Sequence, residues 1–148
     1  MEAVVLMGIQ ASGKSRFYEQ QFADTHVRIS LDELRTRHQE EQRLKACLAA
    51  GRPFVVDNTN PTPEDRSRYV IPARAAGFKV IGYYLATNLE RAIAWNRCRT
   101  GDARVPDKAV FATHGALVIP APSEFDGLWY VQVTDNHFDV QAWKHEIR

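Results

Sequence analysis

The scarce ingredients of this sequence each close off a class of protein. Only two cysteines, Cys47 and Cys98, occur in 148 residues, with no C-x-x-C pair and no histidine nearby at metal-ligand spacing. A disulfide framework and a zinc site therefore lack support, and both thiols read as reduced core residues of a cytoplasmic chain. No apolar run approaches the ~18 residues of a membrane span, and no basic stretch leads into an apolar segment with a cleavage site. Neither a membrane partner nor secretion is expected. The five histidines, His26, His38, His114, His137 and His145, show no metal-ligand spacing either. Charge of one sign is lacking too. A formal net charge of +1 provides no global basic field, so a nucleic-acid partner must be held by a local cluster of arginines. Repeats and low-complexity segments are absent. What remains, 45% hydrophobic and 25% charged, is an ordinary globular composition that reads as a single domain over residues 1–148.

Against that plain background one stretch stands out, Glu2 to Ser15, an apolar run that breaks into a glycine-bounded loop. Gly8, Gly13, Lys14 and Ser15 satisfy G-x-x-x-x-G-K-[ST], the phosphate-binding loop. Glycines free the backbone so that successive N–H groups turn inward as an anion nest, which makes Gly8, Ala11, Ser12, Gly13, Lys14 and Ser15 the candidate nucleotide cradle. Lys14 would reach the β- and γ-phosphates, and the Ser15 hydroxyl would ligate Mg²⁺. The context agrees with the motif: Ala3 to Met7 reads as a buried strand, and Arg16 to Ala23 as a helix with Phe17 and Phe22 inward. That helix start adds the positive end of its dipole at the phosphates.

Strands and helices then alternate. Val27 to Ile29 is a short strand, and Ser30 with Glu33 three positions later reads as a capping box. This places Asp32 in the first turn of a helix with Arg35 on the same face. Asp32 is then either an acid that complements the helix dipole or a group with chemistry to do. A helix follows from about Thr36 to Ala50, with Leu44, Cys47 and Leu48 inward, and ends at Gly51. Pro53 to Asp57 is an apolar strand ending in a carboxylate. Asp57 is a candidate for the magnesium shell and the acceptor side, or else a strand-end acceptor for turn hydrogen bonds.

Thr62-Pro63 opens the next helix, to about Ala76, and Lys79 to Leu85 is a further strand. Thr87 to Glu90 reads as another capping box, opening a helix to about Arg99. Residues 97–106 gather Arg97, Arg99 and Arg104 around Gly101 before Val105-Pro106, which suits a lid closing over a triphosphate. Asp107 to Thr113 reads as a short helix, Pro120 to Pro122 as a rigid connector and Leu128 to Val133 as the last strand, with Trp129 and Tyr130 in packing roles. The tail from Phe138 to Arg148 reads as an amphipathic helix. Together these elements predict a three-layer α/β sandwich, a parallel sheet of about five strands with helices on both faces and the ligand at the strands' C-terminal ends.

Four segments, Gly8 to Ser15, Ser30 to Arg35, Val56 to Pro61 and Arg99 to Pro106, taken in this order, resemble the kinase module of the polynucleotide 5′-kinase family. The likeness runs from Met1 to about Val133. It implies a P-loop kinase-like fold with ATP as donor and Mg²⁺, held by Ser15 and Asp57, as cofactor. It further implies that Asp32 is the general base for a 5′-hydroxyl, that Arg35 holds the acceptor's phosphate, and that Arg99 is the lid arginine, with Arg97 and Arg104 as helpers. With Lys14, Asp32 and Arg99 would form the catalytic set. Two places depart from the family pattern: Ser30-Leu31 stands where Asn-Arg is common, and Gln10-Ala11 where proline and glycine are common. A phosphatase or ligase that accompanies some family members would here be a partner on a separate chain.

The expected activity is therefore transfer of the γ-phosphate of ATP to a 5′-hydroxyl of a DNA or RNA end. The nearly neutral charge keeps open a small acceptor, a nucleoside or another metabolite alcohol. A non-catalytic ATP-binding module is the reading from a different class, and Asp32 separates it from the kinases.

Overall fold

The computed structural model describes residues 1–86, 88–134 and 137–144. The apolar run after Glu2 is a strand, β1 (Glu2–Met7), whose residues Ala3 to Met7 are all buried. Such continuity marks a strand covered on both faces. Accordingly β1 lies inside the sheet, with Phe54–Val56 (β3) on one side and Lys79–Ala86 (β4) on the other, both parallel to it. Val27–Ile29 (β2) pairs with β3 at one edge, and Gly127–Thr134 (β5) pairs with β4, again in parallel.

His137–Ala142 (β6) completes the order β2-β3-β1-β4-β5-β6 and is antiparallel to β5. Among the described residues the sheet therefore has six strands, and the tail expected to be an amphipathic helix from Phe138 is a strand as far as Ala142. The outer edge of β5 decides this, because it offers unpaired backbone groups that a returning chain satisfies. Phe138 confirms the pairing by packing edge-on against Phe17 at 5.3 Å between ring centres. Residues 145–148, His145 among them, lie outside the described residues.

The helices are α1 (Lys14–Gln21), α2 (Leu31–Leu34), α3 (Arg37–Ala50), α4 (Pro63–Ala75), α5 (Leu89–Arg97) and α6 (Asp107–Ala116). They fall on both faces because β1 alternates. Ala3, Val5 and Met7 meet Leu44 and Cys47 of α3 and Tyr69, Val70 and Ala73 of α4 in one core. Val4 and Leu6 meet Phe17 of α1 and Phe22 in the other. Caps start several helices: the Thr36 and Thr62 hydroxyls accept from the backbone N–H groups of Gln39 and Asp65. Asn88 caps α5 by accepting from the Arg91 N–H, the role expected of Thr87, which lies outside the described residues.

Three local expectations give way to tertiary contacts. Ser30 has extended N-cap backbone but its side chain caps no helix N–H, while the first N–H of the helix, that of Leu31, is bound across the fold by Asn58 Oδ1 at 2.9 Å. Glu33, its supposed capping partner, instead faces Arg28 and Arg43, each at 3.6 Å. Cys98 is exposed at the end of α5, whereas Cys47 is buried as expected. Trp129 is also exposed, while Tyr130 packs with Tyr84 and Trp143.

Candidate functional site

The loop after β1 is folded tightly on its neighbours. Gly8 donates to the Thr59 carbonyl at 3.1 Å, and a Cβ there would lie 2.8 Å from the Ser12 hydroxyl and 3.1 Å from the Leu85 carbonyl. Gly13 turns with φ +97°, a left-handed conformation that favours glycine, and Phe138 closes in behind it. Ala11 also has positive φ, +59°, where a side chain costs about 1 kcal/mol. Strain of this kind persists where the surrounding structure fixes the backbone, as in a loop preorganised for a ligand. Gln10 ties the loop to α6 through a 2.8 Å bond from its Nε2 to the Thr113 hydroxyl.

Lys14 opens α1 but curls back over the loop, its ammonium donating to the Gly8 carbonyl at 3.0 Å and the Ile9 carbonyl at 2.9 Å. Burial pulls its pKa from the ordinary 10.5 down to about 8; Asp57 and Asp32 oppose the shift and Arg99 adds to it. A phosphate arriving at the loop would restore the favourable charge that burial withholds.

Asp57, 5% exposed at the end of β3, meets Ser15 with 3.0 Å between its Oδ2 and the serine hydroxyl. The Arg28 guanidinium sits on both oxygens, with Nη2 2.8 Å from Asp57 and 2.9 Å from Ser15. This oxygen pair therefore holds positive charge in the protein itself. One carboxylate and one hydroxyl, completed by phosphate oxygens, also suit Mg²⁺, a hard cation that rarely takes an all-protein cage. Among the described residues no cluster of three or more His, Cys, Asp or Glu could hold a metal on its own.

The segment after Asp57 is fixed from below. Asn60, with φ +47°, donates to the Leu6 carbonyl at 2.8 Å. Arg66 of α4, 0% exposed, donates to the Asn60 carbonyl at 3.1 Å, the Val118 carbonyl at 3.0 Å and Glu124 at 2.9 Å. Thus the C-terminal ends of β1 and β3 are joined into one floor.

Above this floor opens a cleft of 350 Å³ whose walls include Lys14, Ser15, Asp32, Asp57 and Arg99. The sheet topology brings together residues far apart in the chain, as expected for ligands at the C-terminal ends of parallel strands. Asp32 is exposed in the first turn of α2. Arg99 reaches from the segment expected to form a lid, where among the described residues its one side-chain bond is to the Ala103 carbonyl at 3.2 Å. A second hollow, of 210 Å³, lies on the far side of Gly13 between Arg16, Trp95, Cys98, Arg99 and Phe138.

Other expected residues stand elsewhere. Arg35 ends α2 with φ +74° and faces Asp102 at 3.6 Å, away from the cleft wall. Arg97 is bound to Asp107 at 2.7 Å and, like Arg104, is exposed outside the cleft wall. Arg97's hydrogen bonds, ahead of the charge of Arg104, hold the Asp107 carboxyl below the usual range. Sequence reasoning missed Arg28 and Arg37. Alternation in the short strand Val27-Arg28-Ile29 was the one hint to the first; Arg37, behind the Thr36 cap, sits in no motif.

The comparisons with known proteins fit this geometry. A family model described as an AAA domain matches residues 4–118. A bifunctional polynucleotide phosphatase/kinase of Schizosaccharomyces pombe is 36% identical over 70 residues, 47% of this chain and 17% of that much longer protein. Among solved structures, Chaetomium thermophilum Kti12 in complex with ADP-AlF3 is similar at TM-score 0.63 and 17% identity, covering 88% of each chain. A sugar kinase from Janibacter is similar at TM-score 0.67 and 16% identity, covering 89% of this chain and 85% of that one. A gluconokinase from Sinorhizobium meliloti is similar at TM-score 0.59 and 19% identity, covering 90% and 83%.

Proposed function

The chain belongs to the AAA-domain family and has a P-loop kinase-like fold, and from that premise we propose that it transfers the γ-phosphate of ATP to a 5′-hydroxyl at a DNA or RNA end. One observation carries the reading: a phosphate loop, the Ser15–Asp57 oxygen pair, the exposed carboxylate of Asp32 and the lid arginine Arg99 line a single cleft. The likeness to a polynucleotide phosphatase/kinase supports the choice of acceptor.

In this reading the loop N–H groups and Lys14 hold the β- and γ-phosphates, and Ser15 and Asp57 hold Mg²⁺. When held there, Mg²⁺ would supply positive charge against the phosphate oxygens. Asp32 takes the proton of the acceptor hydroxyl as the oxygen bonds to the γ-phosphorus. The bond from that phosphorus to the bridging oxygen breaks, and ADP leaves with the electron pair. Arg99 adds positive charge where the transferring group gathers negative charge. The aromatic hollow beside Gly13 has the size and position to take the base of ATP. We place the protein in the cytoplasm, where a phosphatase or ligase on a separate chain would complete the processing of an end.

The test is to incubate the protein with labelled ATP, Mg²⁺ and a panel of 5′-hydroxyl oligonucleotides, nucleosides and sugar alcohols. Labelled oligonucleotides are expected. Label in small alcohols alone would replace the acceptor, and label in none, with ATP still bound, would leave a non-catalytic nucleotide-binding module.

A further inference from the structure

Arg37, the first residue of α3, is a guanidinium held from behind and open in front. Its Nη1 donates to Glu40 Oε1 at 3.0 Å and lies 3.1 Å from the Tyr69 hydroxyl. The Tyr69 hydroxyl in turn donates to Glu40 Oε1 at 2.9 Å, while Asn58 Nδ2 donates to Glu40 Oε2 at 2.8 Å. Glu40 and Tyr69 are each 2% exposed, so a carboxylate and a phenol are sunk into the core beneath one arginine. Burial, ahead of the neighbouring Glu40, pushes the Tyr69 hydroxyl up to about 12, which keeps it a donor at any working pH.

Stability alone explains this cluster poorly. Burying an ion pair costs about as much as its attraction returns, and apolar residues of the same volume would serve a core as well or better. The result of the arrangement is a direction: Nη1 is committed behind, and the Nε–Nη2 edge has no bond to any of the described residues. The side chain is 54% exposed, on the wall of the cleft that holds Asp32. That free edge is a two-pronged donor matched to two oxygens of a phosphate.

Asn58 extends the same cluster to the reacting side. Its Oδ1 caps the Leu31 N–H, one residue before Asp32, so the cluster fixes both the arginine and the start of the helix that bears the base. Of the other cations near the cleft, Arg28 is bound to Asp57 and Ser15, Arg35 faces Asp102, Lys14 is held in the loop, and Arg99 is the one the reading above gives to the transferring phosphoryl group.

We propose that Arg37 is the acceptor-recognition residue and takes a phosphate carried by the acceptor beside the hydroxyl that is phosphorylated, with Glu40, Tyr69 and Asn58 as its positioning residues. The site then selects a nucleotide or strand end over a neutral nucleoside or sugar alcohol. This inference rests on the phosphotransferase reading above and deepens it.

The experiment compares a nucleoside 3′-monophosphate with the same nucleoside as acceptors for the parent, Arg37→Gln, Arg35→Gln and Tyr69→Phe, each checked for an unchanged fold by circular dichroism. Equilibrium binding of the two acceptors, in the presence of a non-hydrolysable ATP analogue, is measured alongside. The parent is expected to favour the phosphorylated acceptor in kcat/KM by about 10- to 100-fold, the range of a charge-assisted contact. In Arg37→Gln that ratio falls towards one through the KM of the phosphorylated acceptor, and in Tyr69→Phe it falls part of the way. A parent without preference, or a ratio that survives Arg37→Gln, overturns the inference; collapse in Arg35→Gln alone reassigns the contact to Arg35. If the parent transfers phosphate to neither compound, the phosphotransferase reading is what fails. The binding arm then decides on its own: a preference for the 3′-monophosphate that is lost in Arg37→Gln upholds the Arg37 contact, and equal binding of both compounds rejects it.

Discussion

The floor of the cleft and the proposed lid both carry arginines, and the two are built in opposite ways. Arg66 in the floor is fully buried, with Glu124 and backbone carbonyls around its guanidinium. Arg99, in the proposed lid, is half-buried, and among the described residues its guanidinium bonds only to the Ala103 carbonyl. A group that meets its partners within the fold contributes to stability before any ligand arrives, whereas one left unpaired over a cleft contributes only when something negative enters. Floor substitutions should therefore show in unfolding, and lid substitutions in rate.

Asp32, between floor and lid, should give the largest effect. Asp32→Asn keeps the size and polarity of an exposed residue but removes the carboxylate, and transfer should drop by about 10²- to 10⁴-fold. ATP affinity should change by less than about tenfold. A parental rate would make this acid only a complement to the helix dipole.

Arg66→Met strands Glu124 and three carbonyls, and should cost roughly 3 kcal/mol in urea unfolding, the scale of breaking a buried pair. Arg97→Ala, at the root of the lid, should leave the unfolding midpoint in place because its pair with Asp107 is exposed. Equal losses would erase the distinction between the two regions.

Arg99→Ala should lower kcat by roughly ten- to a hundredfold while ATP binding holds, if its charge meets the phosphoryl group mainly in the transition state. An equal loss in ATP affinity, from titration of a fluorescent analogue, would instead make the lid a ground-state contact.

Lys14 sharpens the contrast through pH. Because burial holds its pKa near 8, the free protein carries the charge below that value and loses it above. ATP affinity should then be full below pH 8 and fall by up to about tenfold per pH unit above it, with proton uptake on binding in that range. The ligand-free chain should gain stability between pH 8 and 10.5, where the unfolded chain holds the proton and the folded chain does not. A flat affinity profile across pH 8 would mean that the ammonium is not what the phosphates meet.

The smallest effect concerns Arg28, which shares Asp57 and Ser15 with the proposed Mg²⁺. Arg28→Gln removes a competing cation, so half-maximal nucleotide-dependent Mn²⁺ binding, followed by electron paramagnetic resonance, should need a few-fold less metal. A higher requirement would instead make Arg28 a brace for the two ligands.

The sequence by itself determined the elements whose causes are local. The loop from Gly8 to Ser15 is legible because its glycines, lysine and serine act at fixed spacing, and β1 because a short unbroken apolar run that stops at a glycine loop has the length of a strand covered on both faces. The Thr62 cap with Pro63 behind it is legible for the same reason. Tertiary structure decided whatever depends on residues meeting across the fold. The tail became β6 because β5 had an open edge, and its weak alternation did not announce a strand. Asn58 reached the Leu31 N–H across 27 positions of chain, and Arg28 found Asp57 across 29. Arg37 became a wall of the cleft because Glu40 and Tyr69 were brought beneath it from α3 and α4. Spacing along a chain fixes helix caps and loop turns, but which charges face one another is fixed only when the sheet is ordered and its two helical layers close over it.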